Sequence, residues 1–250
     1  MTGRAVLVTG ASRGVGRAVA IAFAAAGDRV AVHHRDSAGL AVETVGMLAG
    51  DGHVVVAGDL ADPAAVSAFV GDAATGLGGL DVLVNNAASI VPHPPGEVTY
   101  EQWQQAWTRT VGVNLLGTAN VTFCALPFLR RSAGARIVNV SSRGAFRGEP
   151  EQPAYGASKA GLNALGQSLA LALAGDGIAV STVAPGFVET DMGNEWLKSP
   201  RGPELRAQSP FDRVARPDEV AAAVLYLASA EAEWASGAIL DLNGASYLRT

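Results

Sequence analysis

Tyr155 and Lys159 stand four residues apart in Tyr155-Gly-Ala-Ser-Lys159, with Ser142 upstream. On a helix, residues four apart share one face, which sets an ammonium beside a phenol. A neighbouring cation favours the phenolate and lowers the phenol's pKa from its usual value of about 10. A phenol poised nearer neutrality can serve as general acid or base for a carbonyl–alcohol pair. Alone, Tyr-x-x-x-Lys is also an ordinary helix face, so its weight depends on what surrounds it.

A second group sits near the amino end, in Thr9-Gly-Ala-Ser-Arg-Gly-Val-Gly16. Gly10, Gly14 and Gly16 follow an apolar run and open a helical pattern. Missing Cβ atoms permit a tight turn and close backbone approach, and the N–H groups of the helix terminus then face a pyrophosphate. The spacing departs from G-x-G-x-x-G, but the strand and helix lie on the sides such a motif requires. A dinucleotide cradle together with a tunable phenol points to hydride transfer to or from a nicotinamide.

After the second apolar run, where NAD-type sites usually carry an acidic residue for the adenosine ribose, the chain has His33-His34-Arg35. A carboxylate repels a 2′-phosphate, whereas Arg binds it bidentately, through charge-assisted bonds worth roughly 1.5–3 kcal/mol each. Arg13 inside the glycine turn is a second cation. The expectation is NADP(H) over NAD(H). The alternatives are that Arg13 and Arg35 are solvated surface charges, or that Asp36 takes the ribose.

These residues need a scaffold, and the pattern is strand–helix alternation. Residues 5–8, 29–32, 53–56, 80–84, 136–140, 178–183 and 238–242 are short, nearly continuous apolar runs, as in strands covered on both faces. Residues 15–26, ending at Gly27, and about 101–130, 155–174 and 217–229 read as long helices. The expected fold is α/β: a Rossmann-type, doubly wound parallel sheet in a three-layer α/β/α arrangement, with 1–250 as one dinucleotide-binding and catalytic domain. Ser142 follows the fifth run, at the strand end where open sheets bind ligands. Asn114 lies inside a predicted helix, where Asn is a poor former, which marks a site or a polar surface turn. Residues 190–216 mix Gly, Pro and charges with Met192, Trp196, Leu197 and Phe211. That stretch reads as a substrate lid, with a mobile surface loop as the alternative.

Composition narrows the function classes. The 250 residues are 49% hydrophobic and 16% charged with net charge −5, so a large core is affordable and no basic run invites nucleic acid. No apolar stretch in the sequence reaches the ~18–20 residues needed to span a bilayer, and the start does not read as a signal peptide. Cys124 is alone and no Cys/His metal spacing occurs, which suggests a cytoplasmic, metal-free protein. His53, His93, Trp103, Trp107 and Cys124 read as structural.

Taken together, Thr9–Gly16, Asp59-Leu60, Asn85-Asn-Ala-Ala88, Asn114, Ser142, Tyr155-x-x-x-Lys159 and Pro185-Gly-Phe-Val-Glu-Thr190 resemble the short-chain dehydrogenase/reductase (SDR) family from end to end. The resemblance implies a seven-stranded sheet and a homotetramer, or a homodimer, built partly from paired long helices. It implies Tyr155 as acid/base, Ser142 as donor to the substrate oxygen, Lys159 on the nicotinamide ribose, and Asn114 holding a relay water. The cofactor contacts it implies are Gly10, Ser12, Arg13, Gly14, Val15, Gly16, His34, Arg35, Asp59, Leu60, Asn86, Ala87 and Ala88. Tyr155, Lys159, Pro185, Gly186, Val188 and Thr190 complete them. Asp59 would touch the adenine, Asn86 the ribose, and Thr190 the carboxamide or phosphates. Ala88 replaces the family's usual glycine, with less backbone freedom.

The expected substrate is a small carbonyl or alcohol: a free ketone, secondary alcohol or polyol. A 3-oxoacyl-carrier-protein reductase is the near alternative. Its acidic partner would meet Ala133 and Asp176 where basic docking residues belong, with Arg130, Arg131 and Arg143 nearby. A catalytically silent NADP-binding regulatory protein is the alternative of a different class.

Overall fold

The computed structural model describes residues 3–190 and 197–249. The seven apolar runs form β1 (Ala5–Val8), β2 (Arg29–His34), β3 (Val54–Ala57), β4 (Val82–Asn85), β5 (Arg136–Val140), β6 (Ala179–Pro185) and β7 (Ile239–Leu242). They make one sheet in the order β3-β2-β1-β4-β5-β6-β7, and every pairing is parallel. Leu7 of β1 sits opposite Ala31 of β2 and Leu83 of β4, so the strand order reverses direction at β1. A crevice at the carboxyl ends of the strands follows from that reversal.

Alternation along each strand feeds two apolar layers. Ala5, Leu7, Ala31 and Ile137 pack with α3 (Pro63–Leu77), α5 (Thr118–Leu129) and α7 (Pro153–Leu173). Val6, Val8, Val30 and Val138 pack with α1 (Gly14–Ala25), α2 (Ala38–Gly46) and the Pro217–Leu227 helix. Burial on both faces is why the strands read as continuous apolar runs.

Among the described residues, no periodic pattern announced α2 or α3, nor the short α6 (Gly144–Arg147) and the Gly202–Ala207 helix. The α3 signals are local instead: Asp62 caps the helix by accepting from Ala64 N at 2.9 Å, Pro63 occupies the first position, and Gly78 stops it at φ 76°. The predicted 101–130 helix is α4 (Tyr100–Val111) and α5, joined by a π-helical turn, Gly112–Gly117. The joined rod corrects the expectation about membrane spans: by length and composition alone, Tyr100–Leu129 is long and apolar enough to cross a bilayer. Here Val121, Ala125 and Leu129 are buried in the core beneath the sheet.

Candidate active site

The glycine turn is shaped by contacts that tolerate no side chain. A Cβ on Gly16 would lie 2.2 Å from the Gly10 carbonyl oxygen and 2.5 Å from Asn86 Nδ2; one on Gly10 would lie 2.9 Å from Ala87 Cα. Gly10 and Gly14 also adopt φ of 65° and 57°, left-handed conformations that favour glycine. Asn86 donates from Nδ2 to the Thr9 and Gly10 carbonyls at 2.9 and 3.1 Å, so its amide nitrogen holds the turn. Arg13 at the N-cap makes no side-chain cap bond and the first turn of α1 has no acidic residue. The first-turn N–H groups of α1 thus remain for an anion.

A cleft of about 440 Å³ opens over this turn. Every predicted cofactor contact from Gly10 to Ala88 lines it, as does Thr190, whereas Tyr155, Lys159, Pro185, Gly186 and Val188 lie outside its lining. Pro185 O accepts from Arg143 N at 2.8 Å, Gly186 N donates to Leu242 O at 3.0 Å, and Val188 pairs with Ala215. At the end of the cleft beside β2 and β3, Arg35 is paired with Asp36 at 2.6 Å and Arg109 with Asp59 at 2.6 Å. The first pair is half exposed and therefore easily exchanged for another anion. His34 Nδ1 is buried in this wall without a hydrogen-bond partner. The glycine turn, the open helix terminus, the arginines and that orphaned nitrogen fit a dinucleotide phosphate and ribose.

Three structural segments bring the predicted catalytic residues together beyond the cleft. Lys159 is 2% exposed and donates from Nζ to Val140 O at 2.7 Å, at the end of β5. Ser141 Oγ donates to Lys159 O at 3.3 Å, and Ser142 Oγ accepts from Gly144 N at 3.0 Å. Asn114 sits in the π turn, fully buried. Its Oδ1 accepts from Ser89 N at 2.7 Å, while Nδ2 donates to Ser89 O and to Ser158 Oγ, both at 3.0 Å. Ser158 Oγ in turn donates to Tyr155 O at 2.8 Å. Both Asn114 amide protons are therefore spent on the protein, so a relay water could find only an acceptor on that side chain. The π turn is the local irregularity that the misplaced Asn had signalled.

The electrostatics reverse one expectation. Burial pushes the Tyr155 phenol up to about 12; the nearby Ser142 hydroxyl favours the phenolate but is outweighed, and Glu149 adds to the upward push. Tyr155 is half-buried as a residue, so water at its mouth tempers this burial effect. The predicted lowering by Lys159 is not what this arrangement produces: Nζ is aimed at Val140 O and stands 5.8 Å from the phenol ring centroid. Burial also draws Lys159 down to about 8.

Sequence reading missed three positioning residues. His33 accepts from Gly10 N at 3.1 Å through Nδ1, and its Nε2 meets Gly58 O at 3.0 Å, tying the glycine turn to β3. Its burial lowers its pKa to about 4, so this clamp is neutral. His93 accepts from Ala154 N at 3.1 Å through Nε2 and so fixes the first turn of α7, one residue before Tyr155. Its ring packs edge-on against Trp103 at 5.3 Å, which confirms the structural role of that tryptophan. Arg109 enters the cleft from α4, and nothing in its sequence neighbourhood signals that. Met192 and Trp196 of the predicted lid lie outside the described residues; Leu197 is buried and Phe211 exposed.

A family model described as enoyl-(acyl carrier protein) reductase matches residues 10–244. The D-threitol dehydrogenase of Mycolicibacterium smegmatis is 35% identical across 98% of this chain and 93% of its own length. The 3-oxoacyl-[acyl-carrier-protein] reductase of Staphylococcus aureus is 34% identical across 98% of both. Among solved structures, a short chain dehydrogenase from Burkholderia cenocepacia in complex with NADP has a TM-score of 0.89 at 32% identity, over 98% of each chain. Likeness in sequence and fold thus runs almost the full length, and the chain belongs to the short-chain dehydrogenase/reductase family, oxidoreductases that bind NAD(P).

Proposed function

We propose that the protein is an NADP(H)-dependent oxidoreductase interconverting a small carbonyl compound and its secondary alcohol. The observation that carries this reading is the placement of Tyr155 beside the glycine cleft, with the Ser142 hydroxyl next to its phenol, Lys159 Nζ 5.8 Å from its ring centroid, and its carbonyl tied through Ser158 to Asn114. A bound nicotinamide supplies or accepts the hydride. Ser142 holds the substrate oxygen by a hydrogen bond, and Tyr155 passes its proton to that oxygen or takes it back. Lys159 keeps positive charge beside the phenol, and Asn114 sets the Tyr155 turn against Ser89. The preference for NADP(H) rests on Arg13 and Arg35 at the adenosine end of the cleft, where a 2′-phosphate would displace the exposed Asp36 from Arg35.

A free small substrate, a ketone or polyol, suits the surface better than a carrier protein. Arg130 is bonded to Asp176 at 2.7 Å, and Arg143 is only 4% exposed, so neither presents a free cation to an acidic partner. Within one domain, residues 190–216 act as the lid over the substrate. Exposed Phe123 on α5 and Leu171 on α7 support assembly as a homotetramer, and the lone Cys124 suits a reducing cytoplasm. Purified protein with NADPH and a panel of ketones, beta-keto thioesters, quinones and sugars tests the assignment. Turnover of a ketone or sugar is expected; tight NADPH binding with no turnover across the panel would favour a catalytically silent regulator.

A further inference from the structure

A second cavity, of about 150 Å³, lies beyond β6 and β7, between Phe187, the 205–219 segment and the 242–246 turn. It shares no lining residue with the dinucleotide cleft. Phe187, Leu205, Val214 and Leu242 make much of its wall apolar, and Arg143, immediately after Ser142, forms another side. The Arg143 side chain is buried, donates to Ser246 Oγ at 2.5 Å and to Gln208 Oε1, and lies 5.4 Å from the Phe187 ring centroid.

All three of those partners are neutral. Among the described residues no carboxylate stands within ion-pair distance of Arg143. The only other charged lining residues, Arg213 and Glu219, are bonded to each other at 2.7 Å, which leaves one positive charge unbalanced. A guanidinium carries about five N–H donors, of which Ser246 and Gln208 engage two. Burial is unfavourable for a cation and draws Arg143 down to about 10, with Arg147 adding to that push and Glu149, outside ion-pair distance, opposing it only in part. An anion would relieve that cost. One surplus charge among apolar walls suits a monoanion with a short hydrocarbon body and disfavours a dianion such as phosphate.

We propose that this cavity binds a small organic monocarboxylate, its carboxylate on Arg143 and its apolar body between Phe187, Leu205, Val214 and Leu242. Arg143 N also donates to Pro185 O at 2.8 Å, so an occupant would brace the turn that carries Ser142 without entering the dinucleotide cleft.

Calorimetric titration of the full chain with sodium butyrate, butyramide and inorganic phosphate, at fixed ionic strength, tests the site. Butyrate should bind saturably at one per chain, with the amide and phosphate each weaker by roughly tenfold or more. Saturating NADPH should leave the butyrate affinity unchanged. Arg143→Gln should lose binding to a similar degree. Because Arg143 also ties three segments together, Ala215→Leu provides a second variant that narrows the cavity and keeps the cation; it too should lose binding. Equal affinity for acid and amide, tighter binding of phosphate, undiminished binding by either folded variant, or no saturable butyrate signal would overturn the proposal.

Discussion

Delivering a proton to a carbonyl oxygen from Tyr155 requires a phenol that keeps its proton until negative charge develops on that oxygen. With burial holding the phenol up at about 12 and drawing Lys159 down to about 8, both groups keep their protons in the range below pH 8. Below about pH 8 the phenol is protonated and Lys159 is charged, the state reduction needs. As pH rises through about 8 the ammonium is lost first, so kcat/KM for carbonyl reduction should fall through an apparent pKa near 8. Alcohol oxidation needs the phenolate and should rise with pH. A pH profile in which reduction accelerates above 8 would contradict this assignment. The types and spacing of Ser142, Tyr155 and Lys159 were legible in the chain, but the direction of the Tyr155 shift was not. That direction depends on how dry the hydroxyl's surroundings are and on Nζ turning toward Val140 O, and tertiary packing decides both.

At the scale of elements, the crossing of the glycine turn under Asn86 is the tightest part of the cradle. Gly16→Ala should displace the turn, at a cost of about 1–3 kcal/mol in stability, and weaken NADPH binding together with it. Unchanged denaturant midpoint and unchanged cofactor affinity would show the turn to be looser than the 2.2 Å approach implies. The His33 clamp adds a pH dependence. The unfolded chain takes a proton on His33 near pH 6.5, whereas the folded protein refuses it until about 4. Between those values the unfolded state binds more protons, so stability should decline as pH falls from about 6.5 to 4, by roughly 2–4 kcal/mol. Urea titrations at the two ends measure the decline, and His33→Gln should flatten it; an equally steep decline in that variant would remove His33 as its source. The strands were readable because helices cover both faces of the sheet. Helix α3 announced itself only through Asp62, Pro63 and Gly78, and the π turn only through an ill-suited Asn114. The backbone amides that His33 and His93 accept from, Gly10 N and Ala154 N, lie 23 and 61 residues away in sequence, beyond the reach of any local pattern.

For the whole molecule, the order reversal at β1 places the cradle and the ends of β4 and β5 around one crevice, with Arg109 and Val113 of the α4–α5 rod on its wall and α7 just beyond, bonded to that rod through Ser158 and Asn114. The same two long helices expose Phe123 and Leu171, at 75% and 85%. If they pair between subunits, Phe123→Asp with Leu171→Asp should lower the sedimentation coefficient of the assembly while the monomer stays folded; a wild-type monomer in sedimentation would contradict the tetramer. The central claim is narrower, that the Tyr155 hydroxyl carries the proton of the reaction beside a bound dinucleotide. The most direct measurement is NADPH affinity and kcat of Tyr155→Phe, which removes one oxygen and leaves the ring packing in place. The dissociation constant should stay within about twofold while kcat falls by roughly 10²–10⁴; turnover near that of the wild type would take the phenol out of the mechanism.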